Sequence, residues 1–294
     1  MTVWKCVAAA VVAGLLIGSP AFAQSQSQSQ SQSQSQSQSQ PSPSAPKPDR
    51  GFGALLGELK TFTQKESPDE EATAGDDIAA QVFGATPPWA DLAVQHYVNL
   101  VGRHLAAQVE RTDVTWRFVV LDTPAINAMA LPGGLVLVTR GLYQKLETED
   151  ELAGVLAHEI AHVNRKHQWK VLRQQKLVAL AGQSISGGDK ARTARLVADL
   201  GARLIARGLD KTAEYEADRD GVVIAARAGY DASGLIAVLS RLRQLKPGDG
   251  DTSLLFATHP SPAQRIEALT ASATPDLEAA AVPSAAASRL HTVH

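Results

Sequence analysis

The chain has 294 residues, of which 44% are hydrophobic, so it is long enough for one good-sized domain or two small domains with packed cores. Its 28 basic and 30 acidic side chains nearly balance and give a formal net charge of -2. Because no run of basic residues could follow a phosphate backbone, the charge pattern argues against a nucleic-acid partner.

The N-terminus has the pattern of an export signal, which we predict to span residues 1–23. Lys5 precedes an apolar stretch from Val7 to Gly18, and Ala21-Phe22-Ala23 forms a small-x-small cleavage site. The alternative is an uncleaved membrane anchor, although the apolar stretch is shorter than the ~20 residues that span a bilayer. We therefore expect export to the periplasm, with peripheral contact to the outer membrane as an open alternative.

Residues 24–50 are predicted to be a disordered linker. Ser and Gln alternate as far as Gln40, and the proline-rich stretch from Pro41 to Pro48 follows, so little apolar surface can be buried. We assign residues 51–272 to one folded domain. Residues 273–294 are predicted to be a flexible C-terminal tail, since they consist largely of Ala, Ser and Pro.

The first half of the domain is predicted to contain one long helix and two strands. The helix runs from Trp89 to Val109, and its predicted buried stripe consists of Leu92, Tyr97, Val98, Val101 and Leu105. The strands are Val114 to Leu121 and Gly134 to Thr139, and they form part of a small sheet. The second strand could be an edge strand that pairs with an extended peptide, or an interior strand.

Beyond Gly141 the pattern is helical. Thr148 and Glu151 match a capping box at the start of a helix with one buried side, formed by Leu152, Val155, Leu156, Ile160 and Val163. Further helices are predicted at Gln168 to Ala181, Ala191 to Ala206, Lys211 to Ala228, Ala232 to Leu242 and Pro262 to Ala271.

The helix after Thr148 carries His158-Glu159-Ile160-Ala161-His162, a HExxH motif. Histidines four residues apart lie on one helix face about 6 Å apart along the axis, so both can bind one zinc ion. Glu159 follows the first ligand and can act as general base towards a water and then as general acid towards the leaving amine. His96 and His104 are predicted to be surface residues, and His167 a polar residue at a helix end.

Two histidines leave a catalytic zinc site one protein ligand short. We expect Glu214 to be the third ligand, with Asp218 on the same helix face as a hydrogen-bond partner of a liganding histidine. A solvated acidic face is the alternative for this pair, but the HExxH motif favours the ligand role. Glu216 points about 200° away from Glu214 and is predicted to face solvent.

These motifs resemble the zinc metallopeptidases that include HtpX, the CAAX prenyl proteases and the Oma-type proteases, over about Gly75 to Leu269. The resemblance is strongest to the periplasmic BepA and LoiP branch. It rests on motifs in the family's order. Asn127 to Gly134, with Val136, Val138, Gly141 and Leu142, is similar to the family's edge strand before the active helix. The HExxH segment, Glu214 to Asp218 with Arg219 and Gly221, and His259-Pro260-Ser261-Pro262 with Arg265 follow. The resemblance implies an α+β, predominantly helical, zincin-like metallopeptidase domain with a small β-sheet beside the HExxH helix.

The resemblance also implies roles for His259 and Arg265. His259 either occupies the open coordination position of the zinc and holds the enzyme latent, or acts with Arg265 to stabilise the oxyanion. Unlike HtpX and the prenyl proteases, this chain is expected to have no transmembrane helices after its signal, and unlike BepA no helical repeats after about Ala271.

We therefore expect a zinc endopeptidase with one Zn²⁺ per chain, bound by His158, His162 and Glu214. Its substrates would be polypeptides, with misfolded or misassembled envelope proteins implied by the resemblance. The rival hypothesis is a metal-containing, chaperone-like binding protein with little or no proteolysis. Glu159 argues against this rival, since a purely structural metal site does not need that carboxylate.

Overall fold

The computed structural model describes residues 67–184, 209–245 and 252–271. The predicted signal segment, linker, C-terminal tail and helix Ala191 to Ala206 lie outside these residues and stay predictions. The assignment of residues 51–272 to one domain also stays a prediction. No helix in the described part of the chain is long and apolar enough to cross a bilayer.

The described elements follow one another as two helices, three strands and then seven helices. They are α1 Pro68–Ala85, α2 Leu92–Ala106, β1 Arg117–Leu121, β2 Ala128–Leu131, β3 Leu135–Thr139, α3 Arg140–Tyr143, α4 Glu149–Asn164, α5 His167–Ser184, α6 Lys211–Arg227, α7 Gly234–Leu242, α8 Ser253–Thr258 and α9 Pro262–Ala271. The predicted α+β, predominantly helical fold is confirmed. Helices α1, α3 and α8 and strand β2 were not predicted as separate elements.

The sheet has the order β1-β3-β2, with β1 parallel and β2 antiparallel to β3. The strand predicted at Gly134 to Thr139 is therefore the interior strand β3, and the hypothesis that it forms the edge is wrong. All five of its residues are buried, as the continuous apolar run Leu-Val-Leu-Val predicts for a strand covered on both faces. The two edge strands are β1 and β2, one on each side of β3.

The turn between β2 and β3 depends on two glycines. Gly133 and Gly134 have φ values of 80° and 95°, which residues with a side chain rarely adopt. The Gly133 N–H donates to the buried carboxylate of Glu71 in α1 at 3.3 Å, and Arg111 donates to the same carboxylate at 3.0 Å. Helix α1 thus anchors the turn that sets the position of β2.

The sheet separates two apolar clusters. On one face Val136 and Val138 pack with α2 and α4, and on the other Leu135 and Leu137 pack with residues of α1 and α5. Helix α4 lies in the middle of the domain and packs against α6, α7, α2 and β2. This position surrounds the HExxH segment with protein.

The prediction that Leu92 lies on the buried stripe of α2 is wrong, since its side chain is 80% exposed. Successive residues are about 100° apart around a helix, so Leu92 lies about 180° from Val101. The buried stripe consists of Val94, Val98, Val101 and Leu105. His96 and His104 are exposed, as predicted.

Candidate metal centre and active site

Helix α4 begins with a modified capping box. The Thr148 hydroxyl accepts a hydrogen bond from the Glu151 N–H at 3.2 Å. The Glu151 carboxylate accepts from the N–H of Glu147 at 2.7 Å, one residue before the position that the predicted capping box uses. Residues 149–163 are all buried, so packing on every side holds the side chains that project from α4.

His158 and His162 lie one helical turn apart, with their Nε2 atoms 3.1 Å from each other. Glu214 of α6 joins them, with Oε2 3.7 Å from His158 Nε2 and Oε1 3.5 Å from His162 Nε2. Tetrahedral ligands of one zinc ion at ~2.0–2.1 Å would be about 3.3 Å apart. The structure therefore brings the three predicted ligands together at separations that suit a single ion.

The chemistry of these three side chains also fits a cation. Glu214 is 1% exposed, and its Oε2 has no hydrogen-bond partner among the described residues. An acceptor left unpaired in this way costs about 1–3 kcal/mol, and burial raises the pKa of Glu214 to about 8. Burial also lowers the pKa of His158 and His162, which favours the neutral imidazole that binds metal.

Gly221 allows α6 to approach α4 closely at His158. A Cβ atom at this position would lie 2.9 Å from both the N and Cα atoms of His158. Asp210 caps the start of α6 by accepting hydrogen bonds from the N–H groups of Thr212 and Ala213. The carboxylates of Glu214 and Asp218, one turn apart on α6, both reach His158.

Asp218 binds the other nitrogen of His158. Its Oδ1 lies 2.9 Å from His158 Nδ1, as expected for an acceptor that fixes the ring with Nε2 towards the metal position. Arg265 of α9 donates from Nε to Asp218 Oδ2 at 2.9 Å. Although burial opposes ionisation, Arg265 and His158 hold the pKa of Asp218 well below its usual range. A charged, hydrogen-bonded Asp218 thus supports His158.

Arg265 is directed towards Asp218 and His158. It is 5% exposed, and its Nη2 lies 3.2 Å from His158 Nδ1. In the described part of the chain, Arg265 is not among the residues that line the cleft beside the histidines. Its position is that of a support for Asp218.

Glu159 is buried and lies at the cleft. Burial raises its pKa to about 8, against the opposing effects of Arg265 and of a backbone hydrogen bond from Ala130 in β2. Its carboxylate, a ring nitrogen of His158 and a ring nitrogen of His259 lie within 4.8 Å of one another. Glu159 therefore faces the edge strand on one side and His259 on the other.

His259 follows α8 and also lines the cleft. Its Nδ1 is 2.8 Å from the Thr258 hydroxyl, and its Nε2 is 3.7 Å from Glu214 Oε2. The compact group that contains both His158 and His162 does not include it; it belongs to the group with Glu159. Both predicted roles of His259, as a ligand at the open position and as a donor facing the substrate, stay predictions at this position.

A cleft opens in front of these residues, and β2 forms one wall. Its lining is Ile78, Asn127, Ala128, Met129, Ala130, Leu131, Glu159, His162, Gln168, Leu209, Glu214, Thr258 and His259. Asn127 Oδ1 is buried without a hydrogen-bond partner among the described residues, so it is available as an acceptor at one end of β2. The sequence motif included Asn127, but its residue type alone did not indicate that it lines the cleft.

The prediction that His167 is merely a polar helix-end residue is incomplete. It begins α5, but it is buried, and its Nδ1 lies 2.9 Å from His162 Nδ1. Glu216, predicted to face solvent, is half-buried and lies 3.3 Å from His167 Nε2. The only sequence signal was a further histidine five residues after His162, followed by a new helix.

Comparison with known proteins finds relatives over the region that contains the site. The family model described as peptidase family M48 matches residues 93–273. The chain is 30% identical to a β-barrel assembly-enhancing protease of Yersinia pestis, over 67% of this chain and 43% of the relative. It is 28% identical to the protein of the same name in Escherichia coli, over 67% of this chain and 42% of the relative.

A mitochondrial relative shares the same region. The metalloendopeptidase OMA1 of Schizosaccharomyces pombe is 29% identical over 58% of this chain and 50% of the relative. The chain thus spans half or less of the length of these curated relatives.

Proposed function

Since this chain belongs to peptidase family M48 and is a metallopeptidase, we propose that it is a zinc-dependent endopeptidase that cleaves misfolded or misassembled envelope proteins. The observation that carries the proposal is the buried group of His158, His162 and Glu214 beside Glu159, with Glu214 Oε2 lacking a donor among the described residues. Two imidazoles, a carboxylate and an open position are the ligand set of catalytic zinc.

We assign separate tasks to the residues around the site. His158, His162 and Glu214 would hold the ion, which when bound supplies Lewis acidity that polarises a peptide carbonyl and acidifies water. Glu159 accepts a proton from the attacking water and passes it to the leaving amine. His259 donates a hydrogen bond to the carbonyl oxygen as negative charge develops there.

Arg265 has a positioning role in this assignment. Its guanidinium is engaged by Asp218, so it keeps Asp218 ionised and His158 oriented instead of contacting the substrate. The oxyanion role that the resemblance gave to His259 and Arg265 together therefore falls to His259.

Strand β2 provides the binding surface for an extended peptide. Among the described residues no strand pairs with the edge of β2 that faces away from β3, so an extended peptide can pair with the backbone groups there that Glu159 does not engage. Main-chain pairing is largely indifferent to side chains, which suits unfolded chains as substrates. The predicted export signal and the relatives' name, β-barrel assembly-enhancing protease, support outer-membrane proteins that are still unfolded in the periplasm as those substrates.

We expect the enzyme to cut an unfolded outer-membrane protein at several internal sites and to leave the folded protein intact, as read by mass spectrometry of the products.

Within a peptide that is cut, N-methylation of the backbone next to the scissile bond should raise KM about tenfold or more, because the lost N–H cannot pair with β2.

The matched control is the same peptide with one N-methyl group placed far from the scissile bond, which should be cut like the parent. Equal kcat/KM for all three peptides would contradict strand pairing. Release of terminal residues only would contradict an endopeptidase.

A further inference from the structure

The second histidine of the HExxH motif has a support of its own, formed by His167 and Glu216. His162 Nδ1 lies 2.9 Å from His167 Nδ1, with the two rings nearly perpendicular at 71°. His167 Nε2 in turn lies 3.3 Å from Glu216 Oε2. A continuous chain of contacts therefore runs from the α6 carboxylate through α5 to the ligand on α4.

The backbone between α4 and α5 is shaped so that this contact can form. On an uninterrupted helix, His167 would be five residues after His162 and about 140° away around the axis. Helix α4 instead ends at Asn164, and Lys166 adopts a left-handed conformation with φ 57°. This residue is the one non-glycine in the described part of the chain with a positive φ. The reversal brings the His167 ring back to His162.

We assign the ring hydrogens from the partners of each imidazole nitrogen. His162 Nε2 faces His158 Nε2 and Glu214, where a ligand needs a lone pair, so its hydrogen belongs on Nδ1. That N–H donates to His167 Nδ1, and the His167 Nε2–H then donates to the Glu216 carboxylate. Each ring N–H in this row of three side chains therefore has one acceptor.

We propose that His167, held by Glu216, is a positioning residue that fixes the tautomer and orientation of His162 as a metal ligand. The inference rests on the proposed zinc site. The two histidine ligands then differ in their support. His158 contacts a carboxylate, Asp218, directly, whereas His162 contacts the imidazole of His167, which in turn contacts the carboxylate of Glu216. Partners of this kind commonly change metal affinity when they are removed.

The test is the zinc dissociation constant of the full mature chain, measured by competition with a chromophoric chelator. His167→Ala is expected to weaken zinc binding roughly 10–100-fold. His167→Asn offers His162 a side-chain carbonyl as acceptor and is expected to recover most of the loss. The absorption spectrum of the Co²⁺-loaded protein should change in His167→Ala and return towards wild type in His167→Asn.

Glu216→Ala and Asp220→Ala form a matched pair that does not alter a buried ring. Each variant removes an acidic side chain of α6 that pairs with Arg165, but of these two only Glu216 contacts His167. We expect Glu216→Ala to weaken zinc binding about tenfold and Asp220→Ala to leave it near the wild-type value. The melting temperature of each metal-free variant separates lost folding from lost affinity.

Wild-type zinc affinity in both His167→Ala and Glu216→Ala would overturn this proposal while leaving the zinc site intact. Equal weakening in Glu216→Ala and Asp220→Ala would also overturn it, since helix packing alone would then explain the effect. A wild-type chain that binds no zinc would overturn the proposed function together with this inference.

Discussion

Glu159→Gln is expected to reduce proteolysis roughly 10²–10⁴-fold while the chain keeps its metal. The amide has nearly the same shape as the carboxylate, but it cannot accept a proton from water or deliver one to the leaving amine. Glu159 is not among the three side chains assigned as ligands, and it faces the cleft next to Ala130 and His259. The measurements are initial rates of casein digestion and zinc per chain for both proteins.

The same experiment separates the protease from the chaperone-like rival. Equal digestion rates in wild type and Glu159→Gln would contradict the assignment of Glu159 as base and acid. Full zinc content with no digestion by the wild type would favour a binding protein. A preparation of Glu159→Gln that has lost its zinc would require the ligand set to be revised, because the loss of activity would then have another cause.

His259→Ala is expected to lower kcat roughly 10²–10³-fold without changing the zinc content. The His259 ring lines the cleft and lies in a group with Glu159 and His158, outside the compact group of the three assigned ligands. A donor in this position acts on the carbonyl oxygen as its charge develops, so its loss should appear in kcat more than in KM.

The alternative role for His259, as an inhibitory fourth ligand, predicts the opposite sign. A gain of activity in His259→Ala would support the latent state and contradict our assignment. The matched control is His96→Ala, which removes an exposed histidine from α2. This variant should keep wild-type kcat and zinc content.

The parts of the site that lie within regular helices could be predicted from sequence. The spacing of His158 and His162 on α4, and of Glu214 and Asp218 on α6, follows directly from the helical repeat. The distance between the two helices did not follow from that repeat; the pairing of Glu214 with the histidines came from the order of the motifs. Gly221 is the residue that makes the close approach possible.

The position of the substrate edge could not be predicted in the same way. Strand β2 contains only Ala-Met-Ala-Leu, a short run without a marked strand signal, and its place outside β3 depends on pairing across the sheet. The more strongly apolar β3 was therefore a natural but wrong candidate for the edge. An interior strand needs apolar residues on both faces, and β3 has them.

His167 was underestimated because a helical pattern does not reveal a left-handed residue. Lys166 has no sequence feature that favours a positive φ, in contrast to Gly133 and Gly134, whose lack of a side chain permits one. The reversal at Lys166 turns a histidine that a continuous helix would direct away into a partner of His162.

The most direct test of the central claim is an anomalous difference map from crystals of the zinc-loaded protein, recorded above and below the zinc absorption edge. We predict one peak per chain, ~2.0–2.1 Å from Nε2 of His158, Nε2 of His162 and an oxygen of Glu214, with Arg265 still bound to Asp218. A zinc peak at other residues, or no peak at these three in a protein that digests casein, would contradict the account.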